Sequence, residues 1–148
     1  MNRFVKCGLA IAVLIAPVVA QADDADVINY RKQIMKTMGE QNAAMQMTLQ
    51  GKVPADQFVS HVKTLHLAAT QALKAFEPEV QGDGMTGSAK PEVWSNKADF
   101  AKRMNEQVAK LAALEKAAVE GGVAKAGAMI QTSLDCRSCH ENYRVPKK

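Results

Sequence analysis

Apolar residues recur three and four apart through four successive runs of this chain, and they do not alternate over the length of a strand. A period near 3.6 is that of an amphipathic helix, so the pattern predicts an all-α fold. The first run, over 27–49, passes through Val27, Tyr30, Ile34, Met38, Met45 and Leu49, with Gln41 interrupting the face and Met35 on its flank. The second begins at Pro54 and Asp56, continues through Phe58, Val62, Leu65, Ala69, Leu73 and Phe76, and stops before Pro78. From Glu77 to Asn96 the glycines and prolines mark a connection, with Val93 and Trp94 as its plug into the core. Asn96 and Asp99 have the spacing of a cap and its partner before a third run, Phe100, Met104, Val108, Leu111, Leu114 and Ala118, which Gly121 and Gly122 end. A fourth run extends from Val123 to about Tyr143. Four helices with one longer crossing predict an antiparallel four-helix bundle.

The segment before the first helix has a different character. Arg3 and Lys6 precede an apolar stretch from Leu9 to Ala20, and Ala20, Gln21 and Ala22 form a small-x-small site. This predicts a signal peptide at 1–22, discarded together with Cys7, and a mature domain at 23–148 in the periplasm. The apolar stretch is short for a transmembrane span, so no stable membrane insertion of the mature chain is expected. Loss of Arg3 and Lys6 lowers the formal charge from +4 to +2. The remaining basic residues are dispersed, which argues against nucleic acid as a partner.

Two cysteines remain, and in an exported protein a disulfide is their ordinary fate. Here Cys136, Arg137, Ser138, Cys139 and His140 read C-x-x-C-H, the attachment sequence of a c-type haem. Two thiols three apart suit thioethers to the two vinyl-derived positions of a porphyrin, and the adjacent histidine is then an axial ligand of the iron. A redox dithiol uses the same C-x-x-C, but in a mixed strand and helix setting that this chain lacks. Structural zinc needs further ligands, and only His61 and His66 are left elsewhere. Those two lie five apart on the second helix and face different ways, so at most one could approach an iron.

Three segments carry a family resemblance: Tyr30 to Met35 in the first helix, Lys90 to Ser95 in the crossing, and Cys136 to Arg144, CRSCHENYR, at the carboxyl end. Over residues 23–148 the chain resembles the class II c-type cytochromes, the cytochrome c prime and cytochrome c-556 family. The resemblance implies a four-helix bundle with one haem c held near the carboxyl terminus by Cys136 and Cys139, with His140 as proximal ligand. It places Met35 on the opposite side of the haem, where methionine matches the six-coordinate c-556 branch and an aliphatic or aromatic residue marks the five-coordinate one. The alternative for Met35 is core packing, the role expected of Met38 and Met45. The resemblance also brings Arg31 to a haem propionate and a basic residue, here Arg144, close to the proximal imidazole. Solvated surface charge is the alternative for each.

With His140 and Met35 as metal ligands, the expected function is one-electron transfer between ferric and ferrous iron with redox protein partners. That is a carrier and not an enzyme, either monomer or homodimer. The alternative is a gas-binding protein, with nitric oxide or carbon monoxide at the distal side. Arg144, Lys147 and Lys148, joined by Lys125, are expected to form a positive rim around the site.

Overall fold

The computed structural model describes residues 23–82 and 88–146. The expected signal peptide at 1–22 and the expected rim residues Lys147 and Lys148 lie outside the described residues. Helix α1 spans Asp24–Leu49, α2 Phe58–Ala75, α3 Glu92–Ser95, α4 Lys97–Ala126, α5 Ile130–Ser133 and α6 Cys136–Tyr143, with 3-10 turns at Ala55–Gln57 and Gly127–Met129. The architecture is the expected antiparallel four-helix bundle: α1 packs on α2, α2 on α4, and the last part of the chain folds back along α4.

Local signals start and stop these helices. The Asp23 carboxylate accepts the Asp26 N–H at 2.8 Å and caps α1, and Asp24 and Asp26 add negative charge to its first turn, where the helix dipole favours it. Gly121 (φ −155, ψ 18) and Gly122 (φ 57, ψ −147) break α4 where the third run was expected to end. The expected cap at Asn96 is absent: its side chain makes no capping hydrogen bond to the first turn of α4. Asp99 turns instead to Tyr143 and Arg103, two strong donors that a capping box would forgo.

The fourth run is in pieces. After Gly122 come a short helical stretch, a 3-10 turn and α5, and the chain breaks again at Leu134 (φ −117, ψ 64) and Asp135 (φ −85, ψ 56) before α6. The Asp135 side chain accepts the Ser138 N–H at 3.4 Å and restarts the helix at the cysteine segment.

Two apolar clusters fill the bundle. One joins Met45, Phe58, Val62, Leu65, Ala69, Leu111, Leu114, Ala118 and Ile130. The other, at the opposite end, joins Ile34, Ala72, Ala75, Val93, Phe100, Met104 and Tyr143, with Met35, Phe76, Trp94 and Cys139 packed on its margin. Met38 touches both. Each fully buried side chain of Phe or Leu size adds about 1.5–3 kcal/mol.

The inward seam of α1 differs from the expected one by a small rotation. It runs through Arg31, Ile34, Met38, Met45 and Thr48, while Tyr30 is 55% exposed. Gln41, which interrupts the apolar run, pairs its side-chain oxygen with the His61 Nδ1 at 2.8 Å.

Candidate functional site

The haem-attachment sequence forms α6, and its 3 to 4 residue spacing brings Cys136, Cys139, His140 and Tyr143 to neighbouring positions on one side of the helix. Cys136 is exposed and Cys139 half-buried, and neither is in a disulfide. Surrounding protein pushes both thiols above their ordinary value, and the Asp135 charge adds to this at Cys136; Arg103 opposes it at Cys139. His140 and Arg144 are both half-buried. With Cys136, Arg137, Glu141 and Pro146 they line an open cleft of about 460 Å³.

Tyr143 locks this helix down. Its ring packs edge-on against Phe100 at 5.1 Å between centroids, and its hydroxyl donates to Asp99 Oδ2 at 2.5 Å. Arg103 Nε donates to the same oxygen at 2.6 Å. The two donors hold the Asp99 carboxyl below the usual carboxylate range, the Tyr143 bond being the larger cause. Burial, with the neighbouring carboxylate, pushes the Tyr143 phenol up to about 12.

The chain beyond α6 is tied to the crossing. Ala89 and Arg144 form an antiparallel bridge, Lys90 N–H donates to Tyr143 O at 3.0 Å, and Val145 N–H donates to Ser88 O at 2.9 Å. Lys90 Nζ adds a bond to Glu141 O at 2.9 Å. Gly82 sits against Ser88 so closely that a Cβ there would lie 2.6 Å from the Ser88 Cβ.

On the α1 side, Met35 is half-buried on the same apolar cluster that Cys139 touches. Arg31, one turn earlier, is 4% exposed. It donates from Nε to Ala75 O at 2.8 Å and from its two terminal nitrogens to Val80 O and Pro78 O. Its guanidinium carbon lies 5.0 Å from the Trp94 ring centroid and 5.3 Å from that of Phe76.

Cys136, Cys139, His140, Arg144, Met35 and Arg31 thus gather at one end of the bundle. His61 does not join them, nor does His66, which meets Glu115 at 2.6 Å across α2 and α4. Lys125 is also elsewhere: it pairs with Glu120 beside Ala126, which belongs to the far cluster, so it is no part of a rim at this site. Asp99 and Arg103 were not expected near it. Their spacing of four residues on α4 signals an ion pair, but nothing local signals the Tyr143 hydroxyl as their third member. Met104, 5% exposed in the same cluster, is a further thioether close to the site.

This donor set fits a covalently attached porphyrin: two free thiols one helical turn apart, one at the edge of an apolar cluster, beside a half-buried imidazole in an open cleft. Among the described residues no three His, Cys, Asp or Glu side chains converge as they would on a bare metal ion.

Comparison with known proteins bears on the same segments. The family model described as cytochrome C' matches residues 26–144. A cytochrome c' of Rhodopseudomonas palustris is 33% identical over 128 residues, covering 82% of this chain and 84% of that one. A cytochrome c-556 of Agrobacterium tumefaciens is 30% identical, covering 83% of this chain and 100% of its own. Among solved structures, a ferrous variant of cytochrome c prime from Alcaligenes xylosoxidans with bound NO superimposes with a TM-score of 0.73 at 27% identity, over 86% of this chain and 99% of that one. With a match from the first turn of α1 to the end of the haem-attachment helix, the chain belongs to the cytochrome c' family and carries one haem c bound through Cys136 and Cys139.

Proposed function

We propose that this protein is a periplasmic electron carrier in which His140 and Met35 are the two axial ligands. The observation that carries this reading is the placement of Met35 against the cluster that Cys139 also touches, with Met45 in the other cluster. Haem supplies the one-electron ferric and ferrous couple. The chain's own residues do the rest: His140 sits on the helix that anchors the cofactor, Met35 offers a soft thioether from α1, and methionine opposite histidine favours the reduced form. Arg144, which shares the cleft with His140, tunes the imidazole through charge. Arg31 has two N–H groups beyond its three carbonyl bonds for a propionate. No helix among the described residues is long and apolar enough to cross a membrane. Redox proteins that dock at the α6 end are the partners on this reading, and the chain is a carrier and not an enzyme.

The second reading is gas binding, favoured by the solved relatives: cytochrome c prime of Alcaligenes xylosoxidans has been captured with NO and, in another variant, with carbon monoxide. The visible and near-infrared spectrum of the holoprotein separates the two. A low-spin ferric spectrum with a far-red sulfur-to-iron charge-transfer band is expected here, lost in Met35→Ala, which becomes high spin and takes up carbon monoxide in the ferrous form. Retention of the band in Met35→Ala with its loss in Met38→Ala or Met104→Ala reassigns the ligand. A high-spin wild-type protein refutes six-coordination and leaves gas binding.

A further inference from the structure

Arg31 is the most unusual side chain in the bundle. A guanidinium that is almost wholly buried normally meets a carboxylate, because an unpaired buried charge is costly. Among the described residues Arg31 meets none: its partners are three backbone carbonyls and two aromatic faces. Those carbonyls are not scattered. Ala75 is the last residue of α2, and Pro78 and Val80 lie in the first part of the crossing. The last carbonyls of a helix lack intrahelical donors, so a planar fork of five N–H groups is well suited to them.

The contacts extend on both sides. Trp94, whose ring lies over the guanidinium, is held by its indole N–H to Phe76 O at 3.0 Å. The far part of the crossing, Ser88 to Lys90, pairs with Tyr143 to Val145, the last residue of the helix that carries His140 and the two that follow it. One side chain of α1, a single turn before Met35, is therefore tied through the crossing to the segment that follows His140.

We infer that Arg31 is a positioning residue: by joining α1 to the end of α2 and the crossing, it fixes the helix that carries Met35 relative to the helix that carries His140. This inference rests on the proposed pair of axial ligands for its spectroscopic consequence and on the hydrogen bonds alone for its structural one. A role confined to pairing a haem carboxylate would leave the crossing unchanged when the three carbonyl bonds are lost. A positioning residue needs the fork, and lysine does not supply it.

The test compares Arg31→Lys and Arg31→Met with Phe58→Ala, a variant in the far cluster that costs stability without touching the crossing. Backbone hydrogen exchange of the holoproteins is followed by mass spectrometry in peptides covering 76–82, 88–95 and 140–146. Loss of bonds from a charged donor is expected to speed exchange in all three peptides by about tenfold or more in Arg31→Lys as well as in Arg31→Met. The far-red band is expected to weaken in Arg31→Lys and to persist in Phe58→Ala. Should Arg31→Met not fold, Arg31→Lys alone decides. Unchanged exchange in Arg31→Lys, or faster exchange confined to 76–82, overturns the inference. A wild-type protein without the band refutes methionine ligation instead, and the exchange data still judge the positioning role.

Discussion

The turn at Gly122 gives the sharpest test of how this bundle aims its last helices. At φ 57 and ψ −147, Gly122 occupies a region close to one that only glycine populates readily, and a Cβ built there meets nothing within 4 Å. Gly122→Ala therefore introduces no clash, only backbone strain of about 1–3 kcal/mol. The lost freedom of the unfolded chain offsets about 0.4–1 kcal/mol of this. A net loss of about 1–2 kcal/mol remains. For a urea slope of about 1–3 kcal/mol/M, the midpoint falls by roughly 0.3–2 M. The control is Gly39→Ala: Gly39 lies inside α1, and its added methyl likewise meets nothing within 4 Å. Alanine there is worth about 1 kcal/mol of helix propensity, so its midpoint should rise. Urea unfolding of both holoproteins, followed by far-ultraviolet circular dichroism, measures the pair. A Gly122→Ala midpoint at or above wild type would refute the argument that this residue is glycine for its backbone conformation.

The other consequences concern the site. Cys136→Ala and Cys139→Ala should each leave one thioether, and the double variant should lose its haem on a denaturing gel; haem that survives denaturation there would exclude thioether attachment. Met35→Ala and Arg31→Lys are expected to change spin state and crossing exchange as set out above. Tyr143 has a raised folded value near 12, so its contribution is complete below the ordinary phenol range and is lost as pH rises through about 12. An ultraviolet phenolate titration should show a late step that Tyr143→Phe removes and Tyr30→Phe keeps. Asp99 is the opposite case: its folded value is lowered, so its contribution is present above the ordinary carboxylate range and disappears as pH falls through the lowered value. Asp99→Asn should therefore be less stable than wild type at neutral pH and lose less stability on acidification, read from urea midpoints by circular dichroism at neutral and acid pH; equal losses in the two proteins would remove Asp99 from the account.

Much of this molecule is written in local pattern. The α2 repeat from Phe58 to Ala69 is buried and the α4 repeat from Phe100 to Ala118 is buried but for the half-buried Val108, since a helix turns its period into a face irrespective of what it packs on. The attachment sequence is legible for a similar reason, because its chemistry needs only adjacent turns of one helix. What escaped depends on residues far apart in the chain. Tyr30 is apolar enough to suit an interior seam, yet Arg31 takes that place, because three carbonyls and two rings from residue 75 onward compensate its burial. Gln41 breaks the α1 stripe for a reason that lies in His61 on α2. Asn96 and Asp99 have the spacing of a cap, and the carboxylate is drawn off by a tyrosine 44 positions later. The break before α6 is marked only by Asp135, a residue as common in loops as at helix starts.

The pairing of Ser88 to Lys90 with Tyr143 to Val145 has a bearing on how the molecule is made. It joins residues roughly fifty positions apart. The contacts of Phe58 and Leu65 with Leu111 span a similar distance along the chain, but they bury apolar side chains, whereas this pairing is a few backbone hydrogen bonds of small net worth that need the packed bundle beside them. The bulk of α1, α2 and α4 can collapse around Phe58, Leu65 and Leu111 while the cysteine segment still hangs outside, accessible to whatever chemistry attaches its cofactor. The bridge between Ala89 and Arg144 and its flanking hydrogen bonds then convert a tethered segment into a fitted wall, so the same few bonds that leave the attachment step its opening also end it.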